Sequence, residues 1–180
     1  HALYAHPHVL AELRAEIDRE LPDGAPVDAP ALARMAWLDG VVHESLRLWP
    51  PGAISGRKVV EDVEIVGVTV PAGRMLVYSA WVTHRDPRWW PDPLVFEPGR
   101  WLEGHAAHHE VPPGAWVPFG GGARRCLGFA MAIAELKVIA LELARTVDLE
   151  VSAATPAPVG IATTVPRGGL PATVRGTRAR

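Results

Sequence analysis

The chain has 180 residues, 48% hydrophobic and 21% charged, with 18 basic and 20 acidic side chains and a formal net charge of −2. That balance suits one globular unit with a sizeable core; it excludes a disordered or fibrous chain and offers no global attraction for nucleic acid. No apolar run reaches the roughly 20 residues of a membrane span, and the single cysteine, Cys126, excludes an internal disulfide framework or an all-cysteine zinc site.

In chain order, Val9, Leu10, Leu13, Ile17 and Leu21 recur at helical steps behind Pro7 and predict an amphipathic helix. Glu12, Arg14, Glu16, Asp18 and Arg19 fill its other face, and Pro22-Asp23-Gly24 ends it. Asp28 or Pro30 opens a second helical segment that runs to Trp49 and stops at Pro50-Pro51. From residue 53 to 80 the pattern changes to β-branched runs (Val59-Val60, Val63, Ile65, Val66, Val68, Val70, then Met75 to Tyr78), which predicts short strands in hairpins. Residues 86–118 hold many prolines and four tryptophans without a sustained period. A stretch of that length is unusual in a compact domain, and its tryptophans imply that it packs down. After the glycine-rich segment from Phe119 to Gly128, a helix is predicted to about Arg145, with Phe129, Ile133, Leu136, Ala140 and Leu143 as its buried stripe. Residues 146–180 read as short strands and turns.

The segment around Cys126 has the physical character of a thiolate holder. Glycines allow tight or positive-φ turns, and a cysteine just before a helix N-terminus is surrounded by free N–H groups. Arg124 and Arg125 add positive charge. Two other readings stay open at this level: an inert buried cysteine in a turn, and a nucleophile paired with one of the eight histidines. A phosphate loop is a poor match, because Arg-Cys-Leu-Gly stands where Gly-Lys-Ser/Thr is needed.

Phe119, Gly122, Arg124, Cys126 and Gly128 meet the pattern Phe-x-x-Gly-x-Arg-x-Cys-x-Gly, which resembles the haem-binding loop of the cytochrome P450 monooxygenases. The resemblance implies Cys126 as the axial ligand of haem b iron and Arg124 as a propionate partner. Phe119, Gly120 and Gly122 would lie against the haem, and Arg57 resembles the second propionate-binding arginine. A thiolate ligand pushes electron density onto iron and favours O–O cleavage.

Glu44-Ser45-Leu46-Arg47 matches the family's Glu-x-x-Arg motif, and Phe96 to Trp101 is similar to its Pro-Glu-Arg-Phe segment, with Gly99 where Glu is usual. The resemblance implies a structural triad of Glu44, Arg47 and Arg100. With Glu44 at zero on a helical wheel, Arg47 falls at about 300° and Trp37, Val41 and Leu48 at about 20–60°. Met35, Leu38, Val42, Leu46 and Trp49 cluster opposite, which alone would suit a solvated surface pair. Trp37, Val41 and Leu48 flank Glu44, however, so the helix is apolar on most sides and the pair is predicted to be buried. His84-Arg85-Asp86-Pro87 resembles the segment ahead of the family's meander, and Leu3 to Glu20 the helix before the Glu-x-x-Arg helix.

The fold class implied is mainly α with small β-sheets (α+β), the C-terminal part of a single cytochrome P450 domain. Its parts would be two helices over 1–50, strands over 53–80, a meander over 86–118, the cysteine loop and helix over 119–145, and strands over 146–180. The oxygen-activating helix with its acid–Thr pair is expected upstream, as is the true N-terminus, so the 180 residues alone are expected to be inactive. Ala53, Ile54, Ser55, Ile161 and Ala162 fall where the family lines its substrate pocket. The implied reaction inserts one oxygen atom of O2 into an apolar small molecule, with electrons from NAD(P)H through a ferredoxin, flavodoxin or reductase. Arg85, Arg88, Arg124, Arg125 and Lys137 are candidates for a basic docking patch. The alternatives are a non-catalytic haem-binding sensor and a cysteine-dependent enzyme without haem. His105, His108 and His109 read as a solvated loop rather than a metal site. Sixteen arginines against two lysines suggest a GC-rich bacterial gene and a cytoplasmic enzyme, any membrane anchor lying upstream.

Overall fold

Helix α2 (Pro7–Glu20) turns its Val9, Leu13 and Ile17 ridge onto Met35, Leu38 and Val41, and this seam is the centre of the core. The computed structural model describes residues 1–22, 25–160 and 163–178. The architecture is mainly helical with four small two-stranded sheets. A short helix α1 (Ala2–Ala5) precedes α2, and the expected stop at Asp23-Gly24 lies outside the described residues.

The second helical segment is two helices, α3 (Ala29–Arg34) and α4 (Ala36–Leu48), with Met35 in a non-helical conformation between them. Asp28 caps α3 by accepting from the Ala31 N–H at 2.8 Å. The first turn of α4 is capped from another helix. The two Glu16 carboxylate oxygens accept the Trp37 and Leu38 N–H groups at 2.8 Å each. Glu16 is therefore buried, not on a solvated face as the helical pattern predicts. Its negative charge sits at the positive end of the α4 dipole and satisfies donors the break leaves open. Burial raises its carboxyl above the ordinary range, and the two backbone donors oppose that shift.

Gly40 explains how closely α4 approaches the 3-10 turn Pro98–Trp101. A Cβ there would lie 2.7 Å from the Pro98 carbonyl oxygen and 2.9 Å from Leu102 Cδ1.

The strands β1 (Ile54–Lys58) and β4 (Met75–Ser79) pair antiparallel, with Arg57 opposite Leu76. Strands β2 (Val63–Ile65) and β3 (Val68–Val70) form a tight hairpin over Val66 and Gly67, whose φ values of 49° and 76° are both positive. A short helix α5 (Ala80–Thr83) leads into the turn-rich stretch. Helix α6 (Phe129–Thr146) is followed by β5 (Val147–Val151), which pairs with β8 (Ala172–Thr177). Strands β6 (Pro158–Val159) and β7 (Val165–Pro166) pair between them.

Helix α6 differs from expectation in the face it buries. Leu141 and Ala144 are its fully buried residues, whereas Leu136 and Leu143 are exposed and Phe129, Ile133 and Ala140 only half-buried. The helix is apolar on nearly every side, so periodicity alone does not choose a face. Tertiary bonds at its C-terminal end choose it. Arg14 donates to the Ala144 and Val147 carbonyls at 2.9 and 3.1 Å and pairs with Asp148 at 2.6 Å. Lys137 pairs with Asp39 of α4.

Replacing Gly40 by Ala is expected to lower stability by about 1–3 kcal/mol, because the overlap with Pro98 and Leu102 outweighs the better helix propensity of Ala. Urea unfolding of the two proteins measures this.

Candidate functional site

The Glu44 carboxylate in α4 accepts five hydrogen bonds. Arg47 Nε and Nη2 donate to Oε2 and Oε1 at 2.8 and 2.9 Å. Arg100 Nε (3.2 Å) and the Glu97 N–H (3.0 Å) add to Oε1, and Trp101 Nε1 (3.1 Å) to Oε2. The three remaining Arg47 donors go to the carbonyls of His84 and Pro93, at 2.7 Å each, and of Val95 at 3.1 Å. All five guanidinium donors are thus used. Arg100 Nη2 donates to the Asp92 carbonyl at 2.8 Å. Glu44 and Arg47 have no exposed surface and Arg100 has 4%. Burial at that depth is tolerable only because every charge is paired and nearly every donor placed.

At Gly99 the absent side chain has a local explanation. A Cβ would lie 2.2 Å from the His105 ring and 2.8 Å from Glu97 Oε1, which accepts the Gly99 N–H at 2.9 Å.

Aromatic contacts run outward from this centre. Trp90, which is fully buried, packs on Trp101 (5.6 Å between ring centroids), Trp101 on Trp116 (5.6 Å), and Trp116 on Phe119 (6.3 Å). Phe119 in turn meets Phe129 at the start of α6 (6.3 Å). His43 tucks between Trp101 and Trp116.

The cysteine loop lies at the end of this path. Gly120 and Gly122 take φ values of 72° and 62°, the left-handed region where a glycine avoids strain. Gly120 N–H donates to the Val117 carbonyl (3.0 Å), and Cys126 N–H to the Phe119 carbonyl (2.9 Å), which folds the loop back ahead of α6. The Cys126 side chain is exposed, so it is not an inert core thiol. No histidine hydrogen-bonds to it among the described residues, which leaves the nucleophile reading without its base. Beside the loop, a Cβ at Gly121 or Gly122 would meet nothing within 4 Å. Tyr78 Oη reaches 3.2 Å from a Cβ at Gly120, and the Arg57 guanidinium lies 5.7 Å from the Tyr78 ring. The structure thus brings β1, β4 and the loop together. Arg57 and Arg124 have no carboxylate partner among the described residues.

The side chains expected for a basic docking patch and for a substrate pocket sit in varied surroundings. Within the five-residue basic patch, Arg85 is half-buried over the Trp81 ring and donates to the Leu48 carbonyl, with burial pushing its pKa down to about 10. Arg88 pairs with Asp86 at 2.5 Å, Lys137 with Asp39, and Arg125 lies over Phe129 at 3.6 Å. Arg124 alone of the five is without such a partner among the described residues. The apolar cavity, of about 410 Å³, is walled by Val42, Leu46, Trp49, Ile139, Leu143 and Thr164 among others. Ala53, Ile54 and Ser55 do not line it, Ala53 being buried and Ile54 exposed. Ile161 and Ala162 lie outside the described residues. Thr164 does return to the start of this region, its N–H and Oγ1 donating to the Pro51 and Pro50 carbonyls at 2.8 Å each. No group of three His, Cys, Asp or Glu side chains spaced for a metal occurs among the described residues, and no described helix is long and apolar enough to cross a membrane.

The sequence pattern gave no role to two side chains of this network. Trp101 follows the motif arginine directly, and its indole donor marks it as a buried partner only once Glu44 is placed beside it. His84 was visible as part of a motif but not as a connector. It is fully buried, with Nδ1 3.0 Å from the Arg47 carbonyl and Nε2 2.8 Å from the Val117 nitrogen. Burial pushes its pKa down to about 4, helped by Arg47 and Arg85 and opposed by the Arg47 carbonyl and Glu44.

Three comparisons bear on these features. The family model described as Cytochrome P450 matches residues 1–163. Cyclooctat-9-en-7-ol 5-monooxygenase of Streptomyces melanosporofaciens is 42% identical over 146 residues, 80% of this chain and 31% of that protein. Cytochrome P450 3A29 of Sus scrofa is 37% identical over 161 residues, 89% of this chain and 32% of that protein. The retinoic acid-bound cyanobacterial CYP120A1 structure superposes with a TM-score of 0.85 at 32% identity, covering 97% of this chain and 40% of that one. The chain spans about a third of the length of the curated relatives it matches.

Two outcomes are expected. Glu44→Gln leaves Arg47 and Arg100 buried without their counter-charge and should cost about 3–5 kcal/mol, enough to unfold a marginal domain, as read by denaturant titration. For His84, an unfolded imidazole protonates near 6.5 and the folded one near 4, so the unfolded chain binds more protons between those values. Its contribution is complete above pH 6.5, falls by about 3 kcal/mol as the pH drops through that window, and levels off below it. Urea midpoints against pH should show the wild type losing stability relative to His84→Gln as the pH falls through that window.

Proposed function

Because the chain belongs to the cytochrome P450 family, we propose that it is the C-terminal part of a haem-thiolate monooxygenase, with Cys126 as the axial ligand of haem b iron. The observation that carries this reading is the presentation of the one cysteine. Its side chain is exposed on a loop folded by two positive-φ glycines, beside space that no protein atom fills at Gly121 and Gly122. A buried thiol could not reach an iron atom outside the chain; an exposed one on a pinned loop can.

The residues present fit the group. Cys126 offers the soft sulfur donor, and the Cβ-free positions Gly120 and Gly122 let the loop backbone approach a flat ring. Phe119 presents a ring beside it. Arg124 and Arg57, without carboxylate partners among the described residues, suit the two propionates, as planar guanidinium groups suit carboxylates generally. Haem, when bound, supplies the reductive activation of O2 and the insertion of one oxygen atom into substrate. This chain's contribution is to hold the sulfur, neutralise the propionates and keep the loop attached to the Glu44 centre.

The substrate in this reading is an apolar small molecule, and the electrons come from NAD(P)H through a ferredoxin, flavodoxin or reductase. The oxygen-activating helix belongs to the share of the relatives' length that these residues do not span, so turnover is assigned to the longer arrangement and not to the 180 residues alone. The arginine-rich, lysine-poor composition supports a bacterial, cytoplasmic enzyme.

In the haem-loaded protein carrying this chain, the ferrous–CO complex should show the red-shifted Soret band of thiolate ligation. Cys126→Ser should abolish it. A red-shifted band that survives the substitution refutes the assignment.

A further inference from the structure

Residues 117–128 make few hydrogen bonds to the rest of the fold. Their hydrogen bonds close within the loop, from Gly120 to Val117, Arg125 to Gly122 and Cys126 to Phe119. Among the described residues, one hydrogen bond joins this segment to a part of the chain other than the helix that follows it: the Val117 N–H donates to His84 Nε2 at 2.8 Å.

The other side of the imidazole faces the buried centre. A backbone carbonyl can only accept and a backbone N–H only donate. Nδ1 must therefore carry the proton that is given to the Arg47 carbonyl at 3.0 Å, and Nε2 must be the bare acceptor. Arg47 returns the contact, its Nη1 donating to the His84 carbonyl at 2.7 Å. His84 is thus locked to α4 in both directions and reaches the loop with its one remaining polar atom. The neutral imidazole combines a donor and an acceptor across one rigid ring, which lysine, arginine or a carboxylate cannot match.

We propose that His84 is the positioning residue of the cysteine loop: through Nε2 it transmits the placement of the Glu44–Arg47 centre to Val117, and through the Val117–Gly120 and Phe119–Cys126 bonds to the sulfur. This rests on the reading of Cys126 as the haem ligand. It adds that the ligand's position is set by a side chain that touches neither haem nor substrate.

Two variants separate positioning from packing. His84→Asn keeps a donor where Nδ1 stands, facing the Arg47 carbonyl, and loses the acceptor for Val117. His84→Gln carries its carbonyl oxygen near the place of Nε2 and loses only the side-chain tie to Arg47, the Arg47 Nη1 bond to the residue-84 main-chain carbonyl remaining. The readouts, on the haem-loaded protein, are amide hydrogen exchange at Val117 and the lifetime of the red-shifted ferrous–CO band. In the Asn variant, Val117 exchange should rise about tenfold and the band should decay to a form without thiolate ligation several-fold faster, while Gln stays near wild type in both. Equal behaviour of the two variants, or unchanged Val117 exchange in Asn, overturns the proposal. If Asn fails to fold, Val117→Pro takes its place, removing the donor from the loop side and leaving the buried centre intact. A full, long-lived band in that variant overturns the proposal, and loss of the band at an unchanged melting temperature supports it. A wild-type protein without the red-shifted band would refute the Cys126 assignment, and the Asn–Gln contrast in Val117 exchange would still decide the role of His84.

Discussion

A buried carboxylate with five donors around it is the constraint on which the rest of this structure depends. Glu44 and its two arginines bring a net positive charge into a region without solvent, and the fold must answer it. It does so with the carbonyl oxygens of His84, Asp92, Pro93 and Val95. The same need runs in the opposite direction. The stretch after residue 86 is rich in proline, which has no N–H to offer a ladder, so its carbonyls lack the usual partners. The guanidinium groups of Arg47 and Arg100 supply the missing donors. An irregular segment is thereby given one conformation without becoming helix or strand.

From that centre two connections reach the cysteine loop, and they differ in kind. The tryptophan path through Trp90, Trp101 and Trp116 to Phe119 contributes area and shape, as aromatic contacts do. The His84 bridge is directional, because it has one donor and one acceptor in fixed places. The loop itself contributes little to stability, being exposed over Gly121 to Leu127. The arrangement separates a rigid, desolvated support from a chemically available sulfur, the division expected where a side chain must bind something outside its own chain.

Helix α6 shows the same economy. Its C-terminal end is clamped by Arg14 and Tyr4 and its middle by Lys137, while Met131, Val138 and Ile139 remain exposed and part of the helix walls the apolar cavity. An apolar face of this extent is characteristic of a surface that packs against something else.

Much of this was legible in the sequence, where local chemistry is enough. Pro7 and the apolar ridge after it mark α2, Asp28 and Pro30 mark the start of α3, β-branched runs mark the strands, and the glycines around Cys126 mark a loop that must turn tightly before a helix. Flanking apolar residues on the wheel put Glu44 and Arg47 inside. The remainder depended on partners distant in the chain. Glu16 reads as a surface residue until the broken start of α4 is set against it, and α6 has too many apolar positions to show which face is buried. His84 sits thirty-seven residues from Arg47 and thirty-three from Val117, so no local pattern reveals that it bridges them. The sequence by itself determined most of the elements, the burial of the Glu44–Arg47 pair and the tight turn around one cysteine, because propensity, periodicity and turn geometry act over a few residues. Only the tertiary structure decided how that cysteine is held, because a hydrogen bond between distant segments exists once folding has brought a donor, an acceptor and a dry environment to the same place.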